Sequence, residues 1–141
     1  MSLAHVLLRH AQLTPDNGAI FNGTALHATY GQWATRSAAL AQRLQAAGLA
    51  PGDRVVLFMR NHPRYLEILW AAWWAGLVVV PVNAKLHTRE VEWIIDNAQA
   101  RGPLSLQMSR PGRWPAWIAK SMWRHPRPMP CWRRRSAPTT Q

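Results

Sequence analysis

The chain has a single cysteine, Cys131, so no internal disulfide can form, and a reducing compartment is the expectation. Acid is scarce. Six Asp and Glu face seventeen Lys and Arg, a net charge of +11 over 141 residues. The imbalance is local: residues 1–100 carry a net +2, and residues 101–141 carry +9 with no carboxylate at all. The high pI therefore describes the C-terminal stretch and says little about the rest. Glycine is thinly spread, at 18, 23, 31, 48, 52, 76, 102 and 112. No two of these lie close enough to build a glycine-rich loop, whose backbone amides would cradle a phosphate.

Long hydrophobic runs are also missing. The most apolar uncharged stretch, residues 68–84, is interrupted by Gly76 and Pro81, and its second half is β-branched. A spanning helix needs about 20 continuous apolar residues, so a buried α/β core accounts for this stretch better. No basic residue precedes Val6-Leu7-Leu8, Arg9 cuts that run short, and no small-residue cleavage site follows. These features speak against a secretory signal, and a cytoplasmic protein without a transmembrane segment is expected.

What is present is organised around residues 52–83. The turn Pro51-Gly52-Asp53 opens onto the apolar run Val55-Val56-Leu57-Phe58-Met59. A polar break at Asn61-His62-Pro63 precedes an apolar helical pattern over 65–75, ended by Gly76. Val78-Val79-Val80 then makes a second run, closed by Pro81. Short apolar runs without alternation are what strands of a parallel sheet look like, buried on both faces. Two of them joined by one helix predict a βαβ unit with a right-handed crossover. The intervening helix is apolar nearly all round, with only Tyr65, Glu67 and Trp74 expected to meet water.

Before this unit, residues 3–13 read as an amphipathic helix with Leu3, Val6, Leu7 and His10 on one stripe. A hairpin follows, 19–22 with 26–29. Thr29 and Gln32 have the spacing of a capping box. Ala38, Leu40, Ala41, Leu44 and Ala47 form the apolar stripe of the helix they begin, and Gly48 stands where a left-handed C′ residue belongs. After the βαβ unit, Thr88 is the expected cap of a last helix that turns Val91, Ile94, Ile95 and Ala98 inward.

Two constellations invite a chemical reading and do not sustain it. His5 and His10 are five residues apart, off a shared helical face, so they do not make a metal pair. Glu92 and Asp96 lie four apart on the outer face of the last helix, where solvated carboxylates are the rule. No catalytic, cofactor-binding or metal-ligating residue is assigned from the sequence.

Taken in order, several segments resemble the N-terminal part of the AMP-forming acyl-CoA synthetases, of the adenylate-forming superfamily. They are the stretch from Arg9 to Pro15, Ala28-Thr29-Tyr30-Gly31-Gln32-Trp33, Gly48-Leu49-Ala50-Pro51-Gly52-Asp53-Arg54-Val55, Asn61-His62-Pro63, and Trp74-Ala75-Gly76-Leu77-Val78-Val79-Val80-Pro81-Val82-Asn83. The second of these departs from the family's Leu-Thr-Tyr-x-Glu-Leu, with Gln32 for Glu and Trp33 for Leu. The resemblance covers residues 3–100 and implies a partial parallel-sheet subdomain of a larger enzyme. For the whole family it implies ligation of a carboxylic acid, such as a long-chain fatty acid, to CoA through an acyl-adenylate. ATP, Mg²⁺ and CoA are thereby implied for the full-length enzymes. The family's Ser/Thr/Gly-rich loop ending in Pro-Lys-Gly has no counterpart here, nor have its hinge Asp and C-terminal lysine. The expectation is a truncated piece that binds none of these cofactors and is inactive by itself.

Residues 101–141 read as a disordered basic tail with nine Lys and Arg, seven Pro and four Trp. That composition is what a GC-rich gene yields when translated out of frame. An alternative reading is a non-enzymatic basic protein. In it Arg133-Arg134-Arg135 and neighbouring cations, interleaved with Trp114, Trp117, Trp123 and Trp132, grip nucleic acid. Weak nonspecific polyanion binding is the partner expectation in either case. With two strands short of neighbours, the body is expected to be poorly soluble or molten.

Overall fold

The computed structural model describes residues 3–104. Helix α1 (Ala4–Leu13) leads into the antiparallel hairpin β1 (Gly18–Asn22) and β2 (Ala25–Thr29), then the long helix α2 (Tyr30–Ala46). Next come β3 (Arg54–Phe58), α3 (Arg64–Trp74), β4 (Val78–Val82), α4 (Thr88–Asn97) and the two-residue β5 (Pro103–Leu104). Strands β4, β3 and β5 form one parallel sheet in that order. The α/β fold with a parallel βαβ unit is as the sequence predicts, and the sheet has one strand more.

That strand corrects the boundary drawn at residue 100. The Arg101 amide donates to the Arg54 carbonyl at 2.7 Å, and the Val56 amide donates to the Gly102 carbonyl at 3.0 Å. Pro103 and Leu104 are fully buried beside Val56 and Leu57. Two residues are too few to show any period, and a proline speaks against a strand, so the sequence hides them. The proline is tolerated because β5 is an edge strand, where a missing N–H breaks no ladder. Pro81 sits inside β4, the other edge, for the same reason, rather than closing that strand. The remaining residues assigned to the tail, 105–141, lie outside the described residues.

The strands alternate their faces between two layers of helix. Val55 and Leu57 pack with Ile68, Ala71 and Ala72 of α3, and with Ala75 just after it, on one side. Val56 packs with Val91 and Ile95 of α4 on the other. Of the two strands predicted from sequence, only β3 is buried as a central parallel strand should be; β4 is half-exposed, with Val78 open to solvent. A third cluster seats the hairpin and α1 through Leu7, Ile20, Ala28, Trp33 and Ala34. Of the stripe predicted for α1 only Leu7 is buried, joined by Ala4, while Leu3, Val6 and His10 are exposed.

Caps fix the lengths of the helices. Gln32 donates its amide N–H to Thr29 Oγ1, and Gln32 Oε1 accepts from the Thr29 amide, closing the predicted box. For α4 the cap is His87 rather than Thr88, and Glu90 Oε2 accepts from the His87 amide at 2.8 Å. Three helices end alike. Leu49, Leu77 and Ala100 donate to Leu44, Ala72 and Ile95, with Gly48, Gly76 and Gln99 at positive φ between cap and closing bond. This is the Schellman closure.

Candidate functional site

Helices α3 and α4 leave the neighbouring strands β3 and β4 toward opposite faces of the sheet. Where two adjacent parallel strands send their connections to opposite sides, the loops part and leave a crevice at the carboxyl ends. The structure has one there. A cleft of about 1030 Å³ is lined by Met59, Arg60, Asn61 and Tyr65 after β3, and by Val82, Asn83, Ala84 and Lys85 after β4.

Local hydrogen bonds shape both walls. Asn83 Oδ1 accepts from the Lys85 amide at 2.9 Å, and the Asn83 carbonyl accepts from Leu86 at 3.1 Å, turning the chain toward α4. On the other wall, His62 Nδ1 accepts from the Arg64 amide at 3.1 Å and the His62 carbonyl accepts from Tyr65, which starts α3. Met59 is buried and, with Val82 and Ala84, gives the cleft an apolar side. Arg60, Asn61, Asn83 and Lys85 are exposed and give it a polar one. Two of the lining residues are cations and none is a carboxylate. Among the described residues the cleft thus lacks the carboxylate a Mg²⁺ ion requires and the glycine-rich amides a triphosphate requires. The donor set does not fit a Mg²⁺–nucleotide complex.

A second polar centre is structural. Glu67, expected to face water, is 6% exposed. Its Oε1 meets His27 Nε2 and Arg36 Nη1, each at 3.0 Å, and Oε2 lies 3.9 Å from Arg64 Nε. Ser37 Oγ donates to the Glu67 carbonyl at 3.2 Å. One carboxylate therefore ties β2, α2 and α3 together. Its partners lie 31 and 40 residues away, so no local pattern reveals it.

The pairs weighed from sequence stay apart from both centres. His10 stacks on Tyr30, with ring centroids 5.2 Å apart, and His5 is exposed. Glu92 and Asp96 are both exposed. Among the described residues no cluster of His, Cys, Asp and Glu could hold a metal ion. No helix there is long and apolar enough to cross a membrane. The cleft was missed in the sequence, although the predicted βαβ unit already names the two loops that line it.

Parallel strands with helices on both faces and a crevice at the switch point define a doubly wound α/β subdomain. The profile of the AMP-binding enzymes matches residues 7–113, and the chain belongs to that family, corresponding to its N-terminal portion. It is 43% identical over 94 residues to a feruloyl-CoA synthase of Amycolatopsis sp., covering 66% of this chain and 19% of that protein. It is 41% identical over 93 residues to a fatty acid–[acyl-carrier-protein] ligase of Streptomyces coeruleorubidus, covering 65% and 18%. Among solved structures, the inhibitor-bound N-terminal domain of FACL13 from Mycobacterium tuberculosis superposes with a TM-score of 0.68 at 29% identity, covering 78% of this chain and 28% of that one. The N-terminal subdomain of Klebsiella oxytoca NpsA gives 0.66 at 28% identity, covering 74% and 27%. The chain spans about a fifth of the length of the relatives it matches.

Proposed function

We propose that this chain is the N-terminal piece of a ligase that activates a carboxylic acid with ATP and passes the acyl group to a thiol. In that reaction the carboxylate oxygen attacks the α-phosphorus of ATP and expels pyrophosphate. The thiol then attacks the acyl carbon of the mixed anhydride and releases AMP. The observation that carries the reading is the family match over residues 7–113, joined to a fold shared with N-terminal parts of such enzymes. The named relatives act on ferulate and on fatty acids, which favours an acid with a sizeable apolar body, long-chain fatty acids among them.

The piece is inactive by itself, because the groups that would hold ATP and Mg²⁺ are not in its sequence and the cleft does not replace them. Carboxylate-dependent exchange of labelled pyrophosphate into ATP should not rise above a blank without protein; exchange above that blank refutes this. The protein is cytoplasmic in this reading, consistent with the lone cysteine.

Residues 105–141 are an extension acquired by a change of reading frame. The support is compositional: eight Lys and Arg and no acid, after a body in which caps, turns and core agree. The coding DNA, shifted by one or two nucleotides after codon 104, should continue a buried strand and later encode a loop ending in Pro-Lys-Gly. Stop codons in both other frames would refute this. The second reading, polyanion binding through the same cationic residues, predicts nucleic-acid retention with a steep salt dependence. Cutting the chain after residue 104 should abolish it.

A further inference from the structure

The cleft at the ends of β3 and β4 has a composition that selects a ligand. Arg60 and Lys85 come from loops on its two sides, and among the described residues neither has an ion-pair partner. Elsewhere in the body a carboxylate is available where charge gathers, as Glu67 is to Arg36 and Arg64. Here the lining holds two amides, Asn61 and Asn83, a phenol, Tyr65, and no acid. All three can donate hydrogen bonds. The same lining includes Met59, Val82 and Ala84, apolar residues at the carboxyl ends of the strands.

Cations and neutral donors facing an apolar wall suit a small molecule with an oxyanion at one end and an apolar or aromatic body at the other. From this arrangement we infer that the cleft binds such an oxyanion, a carboxylate or a phosphate monoester, held by Arg60 and Lys85 with its apolar body against Met59 and Val82. A multiply charged nucleotide–metal complex is not the ligand, because the cleft has no carboxylate for the metal. The inference rests on the cleft alone and stands or falls separately from the ligase reading.

The test titrates the full chain, in 150 mM NaCl, with phenyl phosphate, benzoate, inorganic phosphate and benzyl alcohol. Saturable binding with Kd on the order of 1 mM is expected for phenyl phosphate or benzoate, and the better of the two identifies the oxyanion. Benzyl alcohol, which lacks the charge, and inorganic phosphate, which lacks the body, should bind more weakly. Arg60→Met and Lys85→Met should each weaken binding about tenfold, the loss of one charge-assisted hydrogen bond. Arg60→Lys, which keeps the charge, should retain most of it. Arg43→Met, on the exposed side of α2 away from the cleft, separates the site from the general positive charge and should leave binding unchanged. Absence of saturable binding, indifference to both cleft substitutions, or an equal loss in Arg43→Met overturns the proposal.

Discussion

Glu67 shows what a single residue can carry. Its side chain is 8% exposed and meets His27 and Arg36, which lie on different elements. Glu67→Gln keeps the shape and removes the charge, leaving the Arg36 guanidinium without its carboxylate. A loss of about 1–3 kcal/mol in unfolding free energy is expected, in the range for hydrogen bonds to charged groups. It is read as a lower urea midpoint at unchanged m-value, and an unchanged midpoint would show the clamp is incidental. Gln99 makes the opposite case. It holds φ of 51° at a helix end where Gly48 and Gly76 hold 89° and 76°. Left-handed backbone costs an ordinary residue about 1–2 kcal/mol, and glycine returns part of that as flexibility of the unfolded chain. Gln99→Gly should therefore stabilise by about 0.5–1 kcal/mol, a rise of a few degrees in Tm.

Among the elements, β5 is the shortest and decides the most. It makes β3 a central strand, covering Val56 and Leu57 along the side that β4 leaves open. Leu104→Ala in the full chain should cost about 2–4 kcal/mol, as truncation of a fully buried leucine does. The same substitution would be silent if the fold stopped at residue 100, so one denaturation curve separates the two boundaries. The neighbouring α3 is apolar nearly all round, and its small residues make the closest contact with the sheet. Its largest side chains, Trp70, Trp73 and Trp74, are only half-buried, whereas Ile68, Ala71 and Ala72 are the ones pressed onto the sheet. Small residues let the helix approach β3 closely, and the tryptophans fill the space toward α2, Trp70 stacking edge-on against Trp33 at 4.8 Å.

At the scale of the molecule, three clusters of core meet around α3 and β3. The edges are thin, since β4 is half-exposed and β5 has two residues. A fully packed body of about 100 residues would unfold with an enthalpy near 70 kcal/mol. A broader transition of clearly smaller enthalpy, with weak near-UV dichroism, is the expected result for this chain. A sharp calorimetric peak near the full value would show that five strands and four helices suffice.

The sequence by itself determined most of what has its cause within a few residues, though it put the cap of α4 at Thr88 instead of His87. The capping box at Thr29 and Gln32, the C′ glycine at 48 and the paired apolar runs of β3 and β4 follow from short-range chemistry, and the family motifs are built from them. The same local reading correctly leaves α4 with Val91 and Ile95 inward and Glu92 outward. Tertiary structure alone decided the rest, because the partners are far apart along the chain. Glu67 is buried because Arg36 and His27 arrive from other elements to neutralise and bond it. Pro103 and Leu104 become a strand because β3, nearly fifty residues earlier, offers them an open edge. The cleft exists because α3 and α4 depart to opposite faces of one sheet, a relation between two helices that no window of sequence contains.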